Sequence, residues 1–574
     1  MVDSADSLLS PETVAVVGDD ATAGAVPSDA RQFAATDLHG DAIATDLDLA
    51  VVATAEGLRD IVDALVEASV GAILVAVPLE DDRWYRASES ARAAGVPLLG
   101  PNAAIALPER GLRVGVEDPV DPGSIALVGE DKLTVGGLLG EAHSRDLSFS
   151  AVLATGTGGT VAPADVLGDL DADPGTDVIL SRPDRIDRHF LRAAGSVSRE
   201  TALAVDAPKW ACTEKPIDVA AAGEIAPAAL RDAALAQVGV LGVHSLDRLL
   251  DLAPALAAQP LPADDGVAIV SNAGGPGVMA TDAVGTSRLS MADLTDETVE
   301  RLEEIIPDRA YAQNPLDLLA DSDVKVLTEV LDVVLRDPGV QAAVVITAPN
   351  PIISFEETAE VVADARAEHD SPVVTALMGG ESTADAAARL RSVGVPNYFD
   401  PFQAVAVIEA LANQRDAVAS RADPATSNVA LPAAKVREVL AEPHADLDVL
   451  DAAGIPVGRD GDGVSVAVTA TRVPRLGPVL AVGIAEYAAV LGDVSVRIAP
   501  PAEREIRSMI DDLRASRLLK GARGTAAVDV DSLVDAIRRV GAIPDALEGV
   551  ETVHATLQAT DEGVSAVDAT VDHQ

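Results

Sequence analysis

The sequence predicts an α/β protein: three doubly wound domains in succession, then a tail of different rhythm. Three observations predict it. Short Val- and Ile-rich runs ending in Gly or Pro alternate with amphipathic stretches from residue 12 to residue 412, the pattern of strands buried on both faces joined by crossover helices. Segments 116–123, 257–266 and 420–432, rich in Pro, Asp or Ser, separate the periodic stretches and read as linkers. The 574 residues, at about 100–200 per domain, allow three to five domains.

The elements follow in order. ETVAVVG (12–18), DLAVVAT (48–54) and GAILVAVP (71–78) read as parallel strands, with LRDIVDALVEAS (58–69) as the helix between the last two, and the set continues to GVPLLGPN (95–102). A second set opens at GSIALVG (123–129) and runs through AVLATG (151–156), DVILS (177–181) and ALAVDAP (202–208). A third opens at GVAIVSN (266–272) and runs through AAVVITAP (342–349), PVVTALMGG (372–380) and GVPNYF (394–399). The domains are expected at 1–118, 119–262, 263–425 and 426–574.

Composition narrows the function classes. The chain is 48% hydrophobic but only 2% aromatic, so stacking platforms for single-stranded nucleic acid are nearly absent. Net charge is −50, which disfavours binding to DNA phosphates. Lys132, Lys209, Lys215, Lys325, Lys435 and Lys520 are the only lysines, and the acids are spread along the whole chain. That spread reads as adaptation to a salt-saturated cytoplasm, where a Debye length of about 3 Å screens self-repulsion; the other reading is a specific partner. A single cysteine, Cys212, rules out internal disulfides and thiolate metal clusters. The N-terminus lacks a basic and an apolar signal region, and no run of 18 apolar residues occurs, so a cytoplasmic protein is expected.

The stretch SNAGGPGVMATDAV (271–284) carries the first chemical signal. It follows the GVAIV run (266–270) and leads into a small-residue helix. In open α/β sheets, ligands sit at the carboxyl ends of strands, where a Gly-rich turn lets backbone N–H groups approach an anion. Gly274, Gly275 and Gly277 would remove Cβ obstruction there; a tight strand–helix turn without a ligand fits the spacing equally well.

The order of motifs adds to this. AIVSNAGGPGVMATDA (268–283), NPLDLLADSD (314–323), LRDPGVQAAVVITAPNP (335–351), PVVTALMGGEST (372–383) and GVPNYFDPFQAVAVIEALA (394–412) resemble the ligase-type domain of ADP-forming acyl-CoA synthetases, a family related to succinyl-CoA synthetase. VAVVG, the 48–78 unit and GVPLLGPN are similar to that family's CoA-binding domain; GSIALVG with ADVLGDLDADPGTDVI (164–179) resembles its second α/β domain. LDVLDAAGIPV (447–457), residues 476–501 and RLLKGARGTAAVDVDSLVDAI (517–537) resemble parts of its ATP-grasp region. The resemblance implies three Rossmann- or flavodoxin-like domains followed by a truncated ATP-grasp-like α+β domain.

The resemblance also implies a reaction: acyl-CoA, phosphate and ADP going reversibly to acid, CoA and ATP. A phosphorylated histidine would split the transfer in two, and a nucleotide site with Mg²⁺ would receive the phosphoryl group. The family's histidine position falls near Ala220, and the sequence has no histidine between His189 and His244; either of these is a substitute only in a different structural role. His244 precedes Ser245, which reads as a helix N-cap. A glutamate expected after DVIL is replaced within SRPDRID (181–187), where Asp184 is the nearest carboxylate. The turn after IALV is GEDK (129–132), and Asp19 and Asp20 follow Gly18, carboxylates that oppose an incoming phosphate.

In the tail, only about 18 residues separate GIPV (454–457) from LGPVL (476–480), too few for the clamp subdomain that holds adenine. The metal-binding E-x-D-x-N pattern falls on Glu551, Val553 and Ala555, and a further glutamate falls on Ala489. Apolar groups do not ligate Mg²⁺, so no metal site and no catalytic residue is expected. The ligand-binding candidates are Gly18, Pro101, Asn102, Asn272, Gly274, Gly275, Gly277 and Asn314. In the family the Asn-Gly turn is implied to face the acid and the phosphohistidine.

Three functions stay open. One is a non-catalytic paralogue that binds an acyl-CoA or small carboxylic acid and regulates a partner, alone or as a homo-oligomer. A second is an acid–CoA ligase whose missing histidine and nucleotide clamp come from another family subunit, with CoA, ATP or ADP and Mg²⁺ as cofactors. A third is a nucleotide-independent acyl-CoA hydrolase or transferase with Cys212 as nucleophile; a lone cysteine among small residues is more often a core hydrophobe.

Overall fold

The structure is a computed structural model and describes residues 6–18, 26–34, 47–79, 82–198, 200–218, 224–320, 322–421, 429–441, 446–458, 463–522 and 526–573. The chain divides into two compact units. The first takes 1–182, 196–206 and 243–419; the second takes 183–195, 207–242 and 420–574.

The first unit holds three sheets. In the first, the strands run in the order Arg31–Phe33, Val14–Gly18, Leu49–Ala53, Ala72–Val75 and Leu98–Leu99, all parallel. Ala50, Val51 and Val52 are all fully buried, because crossover helices cover both faces of a parallel sheet and leave no solvent side. The helix Leu58–Glu67 buries Leu58, Ile61, Val62 and Leu65, the i, i+3, i+4, i+7 stripe of an amphipathic helix.

The second sheet has the strands Ala202–Asp206, Val178–Arg182, Pro122–Gly129 and Phe149–Ala154 in parallel, then Ala104–Leu107 and Leu112–Val114 antiparallel. The last two form a hairpin that the sequence reading left inside the first domain. AIAL is four residues long and stops at Pro108, too short to show a period, and its partner strand lies far along the chain. An antiparallel edge on a mostly parallel sheet is a common arrangement.

The third sheet runs Ser290–Met291, Gly266–Ser271, Ala342–Thr347, Val373–Leu377 and Asn397–Tyr398, with Leu316–Asp317 also on Gly266–Ser271. Ala268, Val270, Ala343, Val345, Val373 and Leu377 share one core cluster. Acidic and hydroxyl side chains cap its helices. Thr295 and Asp323 each accept from the backbone N–H three residues on, and Ser354 with Glu357 forms a reciprocal capping box, each worth about 1 kcal/mol.

The second unit is an antiparallel sheet in the order Val494–Ile498, Gly477–Ile484, Val464–Val473, Val550–Thr560 and Gly563–His573. Its core face carries Val466, Val468, Ala470, Leu480, Val482, Val553, Ala555 and Leu557, packed with Leu533, Ile537 and Val540 of the helix Val530–Ala546. Two segments from mid-chain belong to this unit. Gln237 reads both backbone groups of Ile498, donating to its oxygen at 3.0 Å and accepting from its nitrogen at 2.7 Å. Arg188 donates to the carbonyls of Leu476 and Ala499. The edge strand is thereby covered rather than left open.

Candidate functional site

The 271–277 turn forms where the Gly266–Ser271 strand ends. Ser271 Oγ accepts from Ala273 N at 3.1 Å and folds the chain back. Asn272 closes a ring on the neighbouring strand: its Oδ1 accepts from Ala348 N at 2.8 Å and its Nδ2 donates to Ala348 O at 2.9 Å. The helix then begins at Gly274, running Gly274–Thr286, so Gly275 and Gly277 lie in its first turn and not in a loop as the sequence reading had it. Pro276 does not prevent this, since a first-turn residue needs no intrahelical donor.

Only one of the three glycines is closely approached, and by the end of a side chain. A Cβ on Gly274 would stand 2.8 Å from Asp317 Oδ2, whereas Gly275 has open space and Gly277 meets Ser271 at an ordinary 3.6 Å. Asp317, which the motif count missed, therefore brings a carboxylate to the start of this helix. Asn314 is committed to the backbone: its Oδ1 accepts from Ile269 N, and its Nδ2 donates to Val267 O and Ala292 O. It ties strand to strand and offers the turn its position rather than a spare amide.

At the first sheet, Gly18 ends its strand at φ +110°, and a Cβ there would meet Thr54 at 3.0 Å. Asp19 and Asp20 lie outside the described residues. Gly100, Pro101 and Asn102 form a turn with φ +114° at Gly100 and +59° at Asn102. The Gly-rich loop 156–159 threads against it: a Cβ on Gly156 would lie 2.4 Å from Pro101 O, and one on Gly159 2.3 Å from Leu98 O. Leu98 and Thr160 add two hydrogen bonds of 2.8 Å.

At the second sheet, the GEDK turn is a helix cap. Asp131 Oδ2 accepts from Thr134 N and Oγ1, both at 2.7 Å, at the head of the helix Lys132–Ser144. Burial opposes its ionisation, but the Thr134 and Leu133 donors and Arg182 outweigh it and hold the carboxyl below its usual range. The strand Val178–Arg182 ends in a cation where the resemblance implies a glutamate: Arg182 Nε lies 3.0 Å from Asp206 Oδ2. Asp184 is exposed and belongs to the second unit. His189 and His244 are both exposed, and Ser245 caps the helix Leu246–Ala258 as read from the sequence. Ala220 lies outside the described residues.

Cys212 is 5% exposed. Burial pushes its thiol up to about 12, against the partial help of Arg231, so a thiolate nucleophile is not available near neutral pH. In the second unit, Val553 is fully buried and Ala555 is 5% exposed, both in the core face under the Val530–Ala546 helix. Their strand neighbour His554 faces the other way, its Nδ1 2.9 Å from Thr469 Oγ1. Burial lowers its pKa, with Asp218 and Asp572 acting in the opposite direction. Two of the three positions that the resemblance implies for a metal thus offer methyl groups to a core, and an octahedral set of oxygens for Mg²⁺ does not fit there. A separate groove of 710 Å³ runs along Asp531, Asp535, Arg539, Gln558 and Glu562; neither Val553 nor Ala555 lines it.

Comparison with known proteins gives three domain matches: a succinyl-CoA ligase-like flavodoxin domain at 122–256, a Ligase-CoA domain at 267–421 and an ATP-grasp domain at 432–572. The chain is 27% identical over 564 residues to acetate–CoA ligase [ADP-forming] I of Archaeoglobus fulgidus, covering 80% of each. It is 25% identical over 522 residues to 4-hydroxybutyrate–CoA ligase [ADP-forming] of Nitrosopumilus maritimus, covering 73% of each. Among solved structures, the fold is similar to the dinucleotide-forming acetyl-coenzyme A synthetase 1 of Ca. Korarchaeum cryptofilum in its apo form. The TM-score is 0.64 with 20% identity, over 73% of this chain and 98% of that one.

Proposed function

Because the chain belongs to the family of ADP-forming acyl-CoA synthetases, we propose that it is a non-catalytic member that binds CoA or an acyl-CoA and regulates a partner. The observation that carries this reading is the burial of Val553 and Ala555 in the tail core. Phosphoryl transfer in this family's terms needs a metal held against a nucleotide and a histidine to carry the group. The strand that the resemblance implies would supply metal oxygens places Val553 and Ala555 at two of those positions, and the family's histidine position falls near Ala220 in sequence.

The binding elements are retained in form. The Gly100–Pro101–Asn102 turn and the Gly18 strand end stand at the carboxyl edge of the first sheet, and the Gly274 helix stands at that of the third. These are the edges at which open α/β sheets take ligands. A ligand held there with no phosphoryl relay makes a sensor of CoA charge state rather than a ligase. The hydrolase reading loses its nucleophile with the buried Cys212 thiol.

Two measurements test the reading. Incubation of the full chain with γ-labelled ATP, Mg²⁺ and CoA in molar KCl is expected to leave no acid-labile phosphate on it; a phosphohistidine would sink the proposal. Thermal shift with CoA or acetyl-CoA is expected to show stabilisation, about 2.7 kcal/mol at 100 times Kd.

A further inference from the structure

We infer that Trp84 is a ligand-contacting residue, its indole N–H a donor kept for an acceptor oxygen of coenzyme A where the Gly-rich loop 156–159 meets the Gly100–Pro101–Asn102 turn. The inference rests on the reading of the first domain as a CoA binder and names a residue that neither the motifs nor the family pattern supplied.

The choice of side chain is the first observation. Trp84 is one of two tryptophans in a chain that is 2% aromatic. It is 8% exposed, packs in the core of the first sheet, and its Nε1 is buried without a hydrogen-bond partner among the described residues. Buried indole N–H groups nearly always have an acceptor, because desolvating a donor for nothing is unfavourable. A phenylalanine would fill apolar space there without stranding a donor.

The direction of the donor is the second. Trp84 sits in the first turn of the helix Asp82–Ala94, which follows the strand Ala72–Val75. A helix that follows a parallel strand starts at the carboxyl edge of the sheet, where ligands are taken. The N–H edge of the indole lies beside Gly158: a Cβ on Gly158 would stand 3.0 Å from Nε1 and 3.5 Å from Cδ1, with no group of another described residue, chain neighbours aside, within 4 Å. The indole edge is therefore covered by Gly158, which offers no acceptor to the donor, and an oxygen reaches Nε1 only where this glycine moves aside.

The loop is anchored on either side of that point. Gly156 and Gly159 are locked against Pro101 and Leu98 by approaches no side chain could share, and Thr160 is tied to Leu98. Between those anchors Thr157 and Gly158 are exposed, Gly158 at φ +90°. An oxygen of CoA lying along the Pro101–Asn102 turn displaces this apex and accepts from Trp84 Nε1; no covalent bond changes.

The test uses the full chain in molar KCl with CoA as the probe. Trp210→Phe removes the other indole, which is 62% exposed, and leaves Trp84 as the reporter. CoA is expected to shift or quench its emission. Trp84→Phe is expected to weaken CoA binding about tenfold, the worth of one hydrogen bond to a charged group, measured by calorimetry. The ligand-free melting temperature is expected to hold or rise, which a merely structural tryptophan would not allow. Unchanged CoA affinity in Trp84→Phe, or an emission blind to saturating CoA, would overturn the assignment while leaving the proposed function standing. No binding of CoA to the wild type would overturn both.

Discussion

Asn272 and Ala348 exchange two hydrogen bonds, Oδ1 taking the Ala348 N–H at 2.8 Å and Nδ2 giving to the Ala348 oxygen at 2.9 Å. The pair joins the ends of the two central strands of the third sheet, directly before the helix that opens at Gly274. Asn272→Ala leaves both groups of Ala348 part-buried without that partner. Stability is expected to fall by about 1–3 kcal/mol, read from urea unfolding at constant molar KCl. Asn272→Asp keeps the acceptor but turns a donor into a repelling oxygen, and is expected to destabilise as well.

Gly156 is the steric key of the loop against the 98–101 turn. Its φ is +72°, and a Cβ would lie 2.4 Å from Pro101 O and 2.6 Å from Gly100 Cα. Both contacts are backbone, so neither can swing away. Gly156→Ala is expected to cost about 3 kcal/mol or more, from positive φ and overlap together, and to appear as a large drop in melting temperature. Gly275→Ala, with open space around it, is the control and is expected to be nearly neutral.

A carboxylate placed at Val553 is not expected to create a metal site. Val553 is fully buried among Val468, Ala470 and Leu480, so Val553→Asp buries a charge without a partner. A loss of several kcal/mol is expected, with no recovery on adding Mg²⁺. Magnesium-dependent stabilisation of this variant would contradict the orientation of the strand.

The tail is also expected to be acid-sensitive through His554. Its folded pKa lies below the ordinary 6.5 because burial disfavours the imidazolium, with Asp218 and Asp572 opposing in part. The unfolded chain then binds the proton first, so stability is full above about pH 6.5 and is lost as pH falls below it. His554→Gln, which retains a partner for Thr469 Oγ1, is expected to flatten that limb of the stability profile. Cys212 acts at the other end. With the folded thiol near 12 against an ordinary 9, its contribution is present below pH 9 and lost as pH rises toward 12. Native Cys212 is expected to resist thiol reagents at pH 8 and react on unfolding.

Salt is expected to govern the whole molecule. The chain carries 92 acidic against 42 basic residues, and its arginines are already shared: Arg145 serves Glu141, Asp247 and Asp251. Self-repulsion on this scale is screened only when the Debye length is short. Melting temperature is expected to climb steeply from 0.1 M to molar KCl, where the Debye length falls from about 10 to about 3 Å. A flat profile would remove the case for adaptation to salt.

Much of the fold was legible. Every parallel strand read from a Val- and Ile-rich run is present, because a strand buried on both faces must be apolar throughout and announces itself without a partner. The 104–114 hairpin was not legible, since its pairing is set by Phe149–Ala154, over 40 residues away. At the site, SNAGGPG and GPN stood out by their glycines and prolines. Asp317 and Trp84 did not, for nothing in either residue's neighbourhood states what it faces.

The sequence by itself determined the α/β rhythm, the family's motifs, the absence of histidine between His189 and His244 and the short spacing from 457 to 476, because composition, period and spacing are local properties of the chain. Only the tertiary structure decided that Asn314 is a tie, that Asp317 stands at the helix start, that Val553 and Ala555 point into a core, and that Trp84 holds a donor under Gly158. Each of these depends on which way a side chain faces and what a distant segment brings to it, and that is fixed by packing alone.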